Sequence, residues 1–129
     1  MDEVFDLLDQ YGPYFIATTD GDQPRVRPFG SHFKYDGKIY ISTQKSKNVA
    51  KQIMANPKIE MCSMKEFNML RIQAVAIADD RPEVLQAILD ANPMMKERMG
   101  TNLEDQLLLY LTDAVATITQ GGESKVIEF

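Results

Sequence analysis

Apolar residues in this chain repeat with two different periods. Over the first eleven positions Val4, Phe5, Leu7, Leu8 and Tyr11 recur at helical spacing, which predicts a short amphipathic helix ended by Gly12-Pro13. Asp2, Glu3, Asp6 and Asp9 form its acidic face and complement the N-terminal dipole. From Tyr14 the period changes to two. Tyr14–Thr19 reads as a strand and Asp20-Gly21 as a turn. Arg25–Tyr35 and Lys38–Ser42 read as the arms of a hairpin around Asp36-Gly37, a pair suited to the type I′ turn because both central residues need positive φ. Val49, Ala50, Ile53 and Met54 return to helical spacing and Asn56-Pro57 stops that element. Ser46 is its expected N-cap.

In the second half, Lys58–Met64 alternates and leads through Lys65-Glu66-Phe67-Asn68 into a strand at Met69–Asp79. There Leu70, Ile72, Ala74, Ala76 and Ala78 share one face, and Arg71, Gln73, Val75 and Ile77 the other. Asp80-Arg81-Pro82-Glu83 signals a helix start with an acidic cap, and Val84, Leu85, Ile88 and Leu89 form the buried stripe behind it. Asn92-Pro93 interrupts the helix, and Met94–Met99 is a second helical piece before Gly100. Gln106–Gln120 begins as an apolar run and becomes strand-like from Ala114. Gly121-Gly122 then turns it into a last strand, Ser124–Phe129. Six or seven meandering strands with three or four short helical insertions predict a mainly β, antiparallel barrel with helices at its ends. No repeat or linker marks a second domain, so residues 1–129 are read as one.

Composition narrows the partners. A formal charge of −5 and a pI near 4.8 give no sequence-wide attraction to nucleic acid or an anionic membrane. Lys45, Lys47 and Lys51 form the one local basic cluster. No apolar run approaches the roughly 20 residues of a membrane span, and the acidic N-terminus is unlike a signal peptide, so a cytoplasmic protein is expected. The single cysteine, Cys62, excludes an intramolecular disulfide and is read as packing. His32, the sole histidine, excludes a multi-histidine metal site and is read as a strand residue. Met94, Met95 and Met99 are read as core or dimer contacts, with packing around a flat cofactor as the other reading.

The candidate chemistry lies in Arg25–Asn48. A helix opening has backbone N–H groups without partners and the positive end of the macrodipole. Around this one, Thr43, Ser46 and Asn48 can donate and Lys47 adds a charge, which suits a single phosphate group. An ordinary capped helix with solvated lysines accounts for the same residues. Arg25 and Arg27 share a strand face, and Pro28 implies an edge or a bulge. Ligand contacts and charges placed against edge-to-edge pairing both explain the arginines. Arg71 beside Gln73 marks a face that is not simply core, or one that is solvated.

Taken in order, the Asp-Gly turn, Gln-Pro-Arg-Val-Arg-Pro, the Asp-Gly hairpin, Ile-Tyr-Ile-Ser-Thr, Ser-Lys-Asn and a helix ending Ala-Asn-Pro resemble the FMN-binding split barrel of pyridoxamine 5′-phosphate oxidase-like proteins. The resemblance covers nearly the whole chain from Tyr14. It implies a homodimer with FMN at the subunit interface, both chains contributing to each of two sites. Arg25, Val26, Arg27 and Pro28 would lie along the isoalloxazine; Ser42, Thr43, Ser46, Lys47 and Asn48 would hold the phosphate. Leu70–Ala76 is similar to a family strand carrying arginine, glycine and alanine, which makes Arg71 a further cofactor contact, although Ala74 stands where glycine is usual. The activity implied is that of an FMN-dependent oxidoreductase acting on an unassigned small molecule or electron donor, since no residue is an evident acid, base or nucleophile. The sequence has no Trp and ends at Phe129, without the Trp-containing extension of a vitamin B6 oxidase. The alternative is a non-catalytic flavin-binding or redox-sensing dimer. Related split barrels bind a deazaflavin or haem, and a single histidine gives haem ligation little support.

Overall fold

The computed structural model describes residues 1–99 and 102–129. The expected contact of the Met99 side chain and the expected helix stop at Gly100 lie outside the described residues. The first half runs α1 (Asp2–Tyr11), β1 (Tyr14–Asp20), β2 (Gln23–Phe29), β3 (Phe33–Tyr35), β4 (Lys38–Gln44) and α2 (Asn48–Ala55). The second half runs β5 (Lys58–Lys65), β6 (Asn68–Asp79), α3 (Pro82–Ala91), α4 (Pro93–Met99), a 3-10 turn at Leu103–Asp105, β7 (Gln106–Gln120) and β8 (Glu123–Glu128). Every pairing is antiparallel, in the order β2-β1-β5-β6-β7-β4-β3, with β8 also on β7. This is the expected mainly β arrangement, except that the sheet is open.

The long strand β7 explains the split. Its inward residues are Leu107, Leu109 and Leu111, then Ala114, Ala116 and Ile118, all buried. The period of two slips once, at Asp113, whose φ is 48°, and there the register with β6 shifts between Gln73 and Val75. An extra residue at that point keeps both halves apolar on the same face. It also divides the free edge of β7: Tyr40–Gln44 of β4 pair with Gln106–Tyr110, while β8 pairs from Val115 onward. The Phe129 and Ala114 amides exchange hydrogen bonds of 2.9 and 2.7 Å at the junction.

One core fills the inner face of the sheet. It joins Ile16, Ile39, Ile41, Met61, Leu70 and Ile72 to Val4, Leu7 and Leu8 of α1 and Val49, Ala50 and Ile53 of α2. A second, smaller core packs α3 and α4 against Phe33, Tyr40 and Leu108 on the other face. The start of α3 is pinned there. Tyr40 Oη donates to Asp79 Oδ2 at 2.7 Å, and Arg81 donates to both Asp79 oxygens at 2.9 Å. Burial, with Asp79 beside it, pushes the Tyr40 hydroxyl up to about 12.

Four expectations are corrected. The arm Arg25–Tyr35 is two strands, because β2 pairs with β1 and β3 with β4, so the chain crosses from one sheet edge to the other through Gly30–His32. Tyr14 Oη on Ser31 O (2.6 Å) and Ser31 Oγ on the Ser42 amide hold that crossing. His32 therefore lies in the connection and not in a strand; its Nε2 meets Asp9 Oδ1, and its ring packs edge-on against Phe5. Ser46 is not the N-cap of α2. Lys47 occupies that position, with no side-chain cap. Arg81, not Asp80, caps α3, with Pro82 at its start. The Asp36-Gly37 turn is as expected, with φ of 49° and 71°.

Candidate functional site

The register of β1 and β2 places Arg25 opposite Thr18 and Arg27 opposite Ile16, so both arginines turn to the inner face, toward α2. Between that helix and the β1–β2 turn opens a cleft of ≈ 900 Å³, within the roughly 300–1,000 Å³ typical of small-molecule sites. It brings together Arg25, Val26, Arg27, Ser46, Lys47 and Asn48 with Asp20, Lys51 and Gln52. Four cationic side chains and one carboxylate line it, in a chain whose net charge is −5.

Arg27 lies deepest in the charge arrangement. Its Nη1 donates to Ile16 O at 3.2 Å and Thr18 Oγ1 at 2.8 Å, and its Nη2 to Gln52 Oε1 at 2.6 Å. The Thr18 hydroxyl donates to the same Gln52 oxygen, also at 2.6 Å. All these acceptors are neutral. Burial lowers the Arg27 pKa, and the like charge of Arg25 adds to the effect, yet a guanidinium stays protonated in proteins. Arg25, by contrast, is half exposed and pairs with Asp20 at 3.3 Å.

At the start of α2, the N–H groups of Asn48 and Val49 have no acceptor among the described residues. Lys47 and Lys51 are one turn apart, as are Asn48 and Gln52, which gives the helix two adjacent polar rows on the cleft side. Ser46 differs from its neighbours. Its amide and hydroxyl donate to the Asp105 carboxylate at 3.2 and 2.9 Å, so its donors are already used.

Four of the expected cofactor residues line other surfaces. Thr43 is buried on the core side of β4 with Ile39 and Ile41. The Ser42 backbone is held by Ser31 Oγ at 3.1 Å. Pro28 and Arg71 lie on the outer face of the sheet, in one cross-strand row: Pro28, Phe15, Cys62, Arg71, Thr117 and Val126. Arg71 donates to Glu60 at 2.9 Å, and that carboxylate raises its pKa. A shallow depression of ≈ 470 Å³ lies on the same outer face, lined by Glu60, Gln73, Val75, Asp113 and Val115.

Thr18, Asp20, Lys51 and Gln52 were absent from the residues expected at the site. Lys51 and Gln52 carried a usable signal, since each follows Lys47 or Asn48 by four positions.

No family model and no curated protein matches the chain. Solved structures do. A NimC/NimA family protein from Clostridium acetobutylicum is 36% identical, superposes with a TM-score of 0.93, and is matched over 100% of this chain and 92% of its own. The chain belongs to the NimC/NimA family. The protein related to general stress protein 26, of the pyridoxinephosphate oxidase family, from the same organism shares the fold at 14% identity, with a TM-score of 0.74 and coverage of 99% and 93%. HutZ, the heme storage protein of Vibrio cholerae, does so at 18% identity, with a TM-score of 0.64 and coverage of 85% and 87%. These neighbours bear out the resemblance to pyridoxamine 5′-phosphate oxidase-like split barrels, and at such identities the likeness is one of fold.

Proposed function

We propose that this NimC/NimA family chain binds FMN, with the phosphate in the cleft between α2 and β2, and serves as an oxidoreductase of a small molecule or electron donor. The observation that carries the reading is Arg27: a partly buried guanidinium on a cleft wall, bonded among the described residues only to neutral acceptors. A desolvated charge without a counter-ion is costly, and an anion in the cleft offsets that cost. The residues present fit a phosphate. Lys47, the Asn48 side chain and the open N–H groups of Asn48 and Val49 supply donors on one side, and Arg27 on the other. The flavin supplies hydride or electron transfer when bound. The protein's own part is to hold the phosphate, orient the ring and exclude water.

Two further parts of the proposal concern assembly and ligand. Phe15, Val26 and Met64 are 56–68% exposed on the outer faces of the adjacent strands β1, β2 and β5, and such a patch marks an interaction surface. A second copy of the chain is the proposed occupant, giving a homodimer. The likeness to a heme storage protein raises heme as a ligand. His32 does not support it: Nε2 is engaged by Asp9 and the ring lines neither concavity.

The test is the colour and selectivity of the purified protein. FMN released on denaturation, and tighter quenching of FMN than of riboflavin fluorescence, are expected. Equal affinity for the two ligands would remove the phosphate assignment. Reduction of the bound flavin by NAD(P)H, followed by reoxidation with candidate acceptors, separates an oxidoreductase from a flavin-binding or redox-sensing dimer.

A further inference from the structure

The amide of Gln52 has only one orientation compatible with its neighbours. Its Oε1 accepts from Arg27 Nη2 and Thr18 Oγ1, both at 2.6 Å, and a guanidinium has no lone pair with which to accept from an inverted amide. The Nε2 of Gln52 consequently points away from Arg27, and it has no acceptor among the described residues. Gln52 itself lines the cleft.

We infer that Gln52 is the specificity-determining positioning residue of the anion site: it fixes the Arg27 guanidinium with a neutral oxygen, leaving the positive charge for a phosphate. The inference rests on the proposed phosphate position. A carboxylate of the same shape could accept the same two hydrogen bonds but would neutralise Arg27 internally, and the cleft would lose its deepest cation as an anion anchor. The neutral amide therefore decides between an anion-binding cleft and a structural ion pair. Thr18 completes the arrangement by bonding both partners, which keeps the guanidinium in one plane.

Gln52→Glu tests this with FMN, riboflavin and inorganic phosphate as probes. The expected result is a tenfold or greater loss of FMN preference over riboflavin, and loss of competition by inorganic phosphate. The melting temperature of the flavin-free protein should be unchanged or raised, because Arg27 gains a partner. A stability gain with lost anion affinity is not what a merely structural glutamine would give. A folded Gln52→Glu protein that retains wild-type FMN preference overturns the inference. Gln52→Met, which removes the acceptor without adding charge, covers the case in which the glutamate variant does not fold: it should lose FMN preference several-fold, and wild-type preference in that variant equally overturns the role. If the wild-type protein itself shows no preference for FMN, the phosphate reading fails and the Gln52 inference with it. If wild type prefers FMN and both variants do too, only the Gln52 inference fails.

Discussion

Replacing Lys47 by serine is expected to stabilise the flavin-free protein while weakening its hold on FMN. Lys47 is the N-cap of α2, with φ −78° and ψ 150°, the extended geometry that a capping residue needs, but its side chain makes no cap. Serine at that position accepts from a first-turn N–H, worth about 1 kcal/mol. Removing the ammonium also relieves its repulsion with Lys51 one turn on and its unfavourable position at the positive helix end, each about 0.3 kcal/mol. A gain of about 1–1.5 kcal/mol corresponds to a melting temperature higher by roughly 3–6 °C for a chain of this size. With FMN bound as proposed, the change would remove a charge-assisted hydrogen bond to the phosphate. Lys47 is exposed, so the lower end of the usual range applies, about 1.5 kcal/mol or roughly tenfold in FMN affinity. Scanning fluorimetry of the flavin-free protein and fluorescence titration with FMN and riboflavin read the two effects. A variant that melts lower than wild type refutes the capping argument. One that binds FMN as tightly as wild type makes Lys47 a solvated surface lysine.

Ile72 is fully buried in the centre of β6, so Ile72→Ala should cost about 2–5 kcal/mol, read as a fall in the urea midpoint. Asp79 is held well below the usual carboxylate range, chiefly by the Arg81 guanidinium and further by Tyr40. Its stabilising contribution is therefore present above about pH 4 and is lost as pH falls below that. Asp79→Asn should accordingly lower stability by about 1–3 kcal/mol near pH 7 and by progressively less as pH falls below about 4, and a loss that does not shrink over that range contradicts the assignment. Phe15→Glu puts a charge between the exposed Val26 and Met64 and should shift the proposed dimer to monomer in light scattering; a dimer in both proteins shows that another face mediates assembly.

Most of the fold was legible because hydrophobic period reports directly on which face a residue takes. The alternation in Leu70–Ala78 and the helical stripe in Val49–Ile53 matched their buried faces. The missed features depend on pairing across the sheet. Nothing local distinguishes a strand running through Arg25–Tyr35 from one that stops at Phe29 and crosses to the far edge. The phase slip at Asp113 is likewise invisible in an apolar run, since aspartate tolerates positive φ without a glycine to flag it. In the cleft, Lys47 and Asn48 are readable from their positions at a helix start, and Arg25 and Arg27 from their shared strand face. Gln52 and Thr18 acquire meaning only once Arg27 is known to reach them. The N-cap reading of Ser46 fails because its partner, Asp105, is distant in sequence and is brought close by the β4–β7 pairing.

Three features around the cleft each run against local preference. Among the described residues Arg27 is partly desolvated with neutral partners only, Lys47 and Lys51 set like charges one turn apart, and the N-cap position of α2 holds a lysine without a cap. Each destabilises the flavin-free chain by a modest amount, and any one of them alone would be unremarkable. They converge on a single concavity, and an anion bound there as proposed would relieve all three: it would give Arg27 a counter-ion, offset the repulsion between the ammonium charges and occupy the open N–H groups. Departures from local consistency concentrate where function imposes them. Asp105 shows the same physics from the other side. Its carboxylate has already taken the donors of Ser46, which leaves Asn48, Val49 and Lys47, not Ser46, as the donors of α2 that an incoming phosphate would meet.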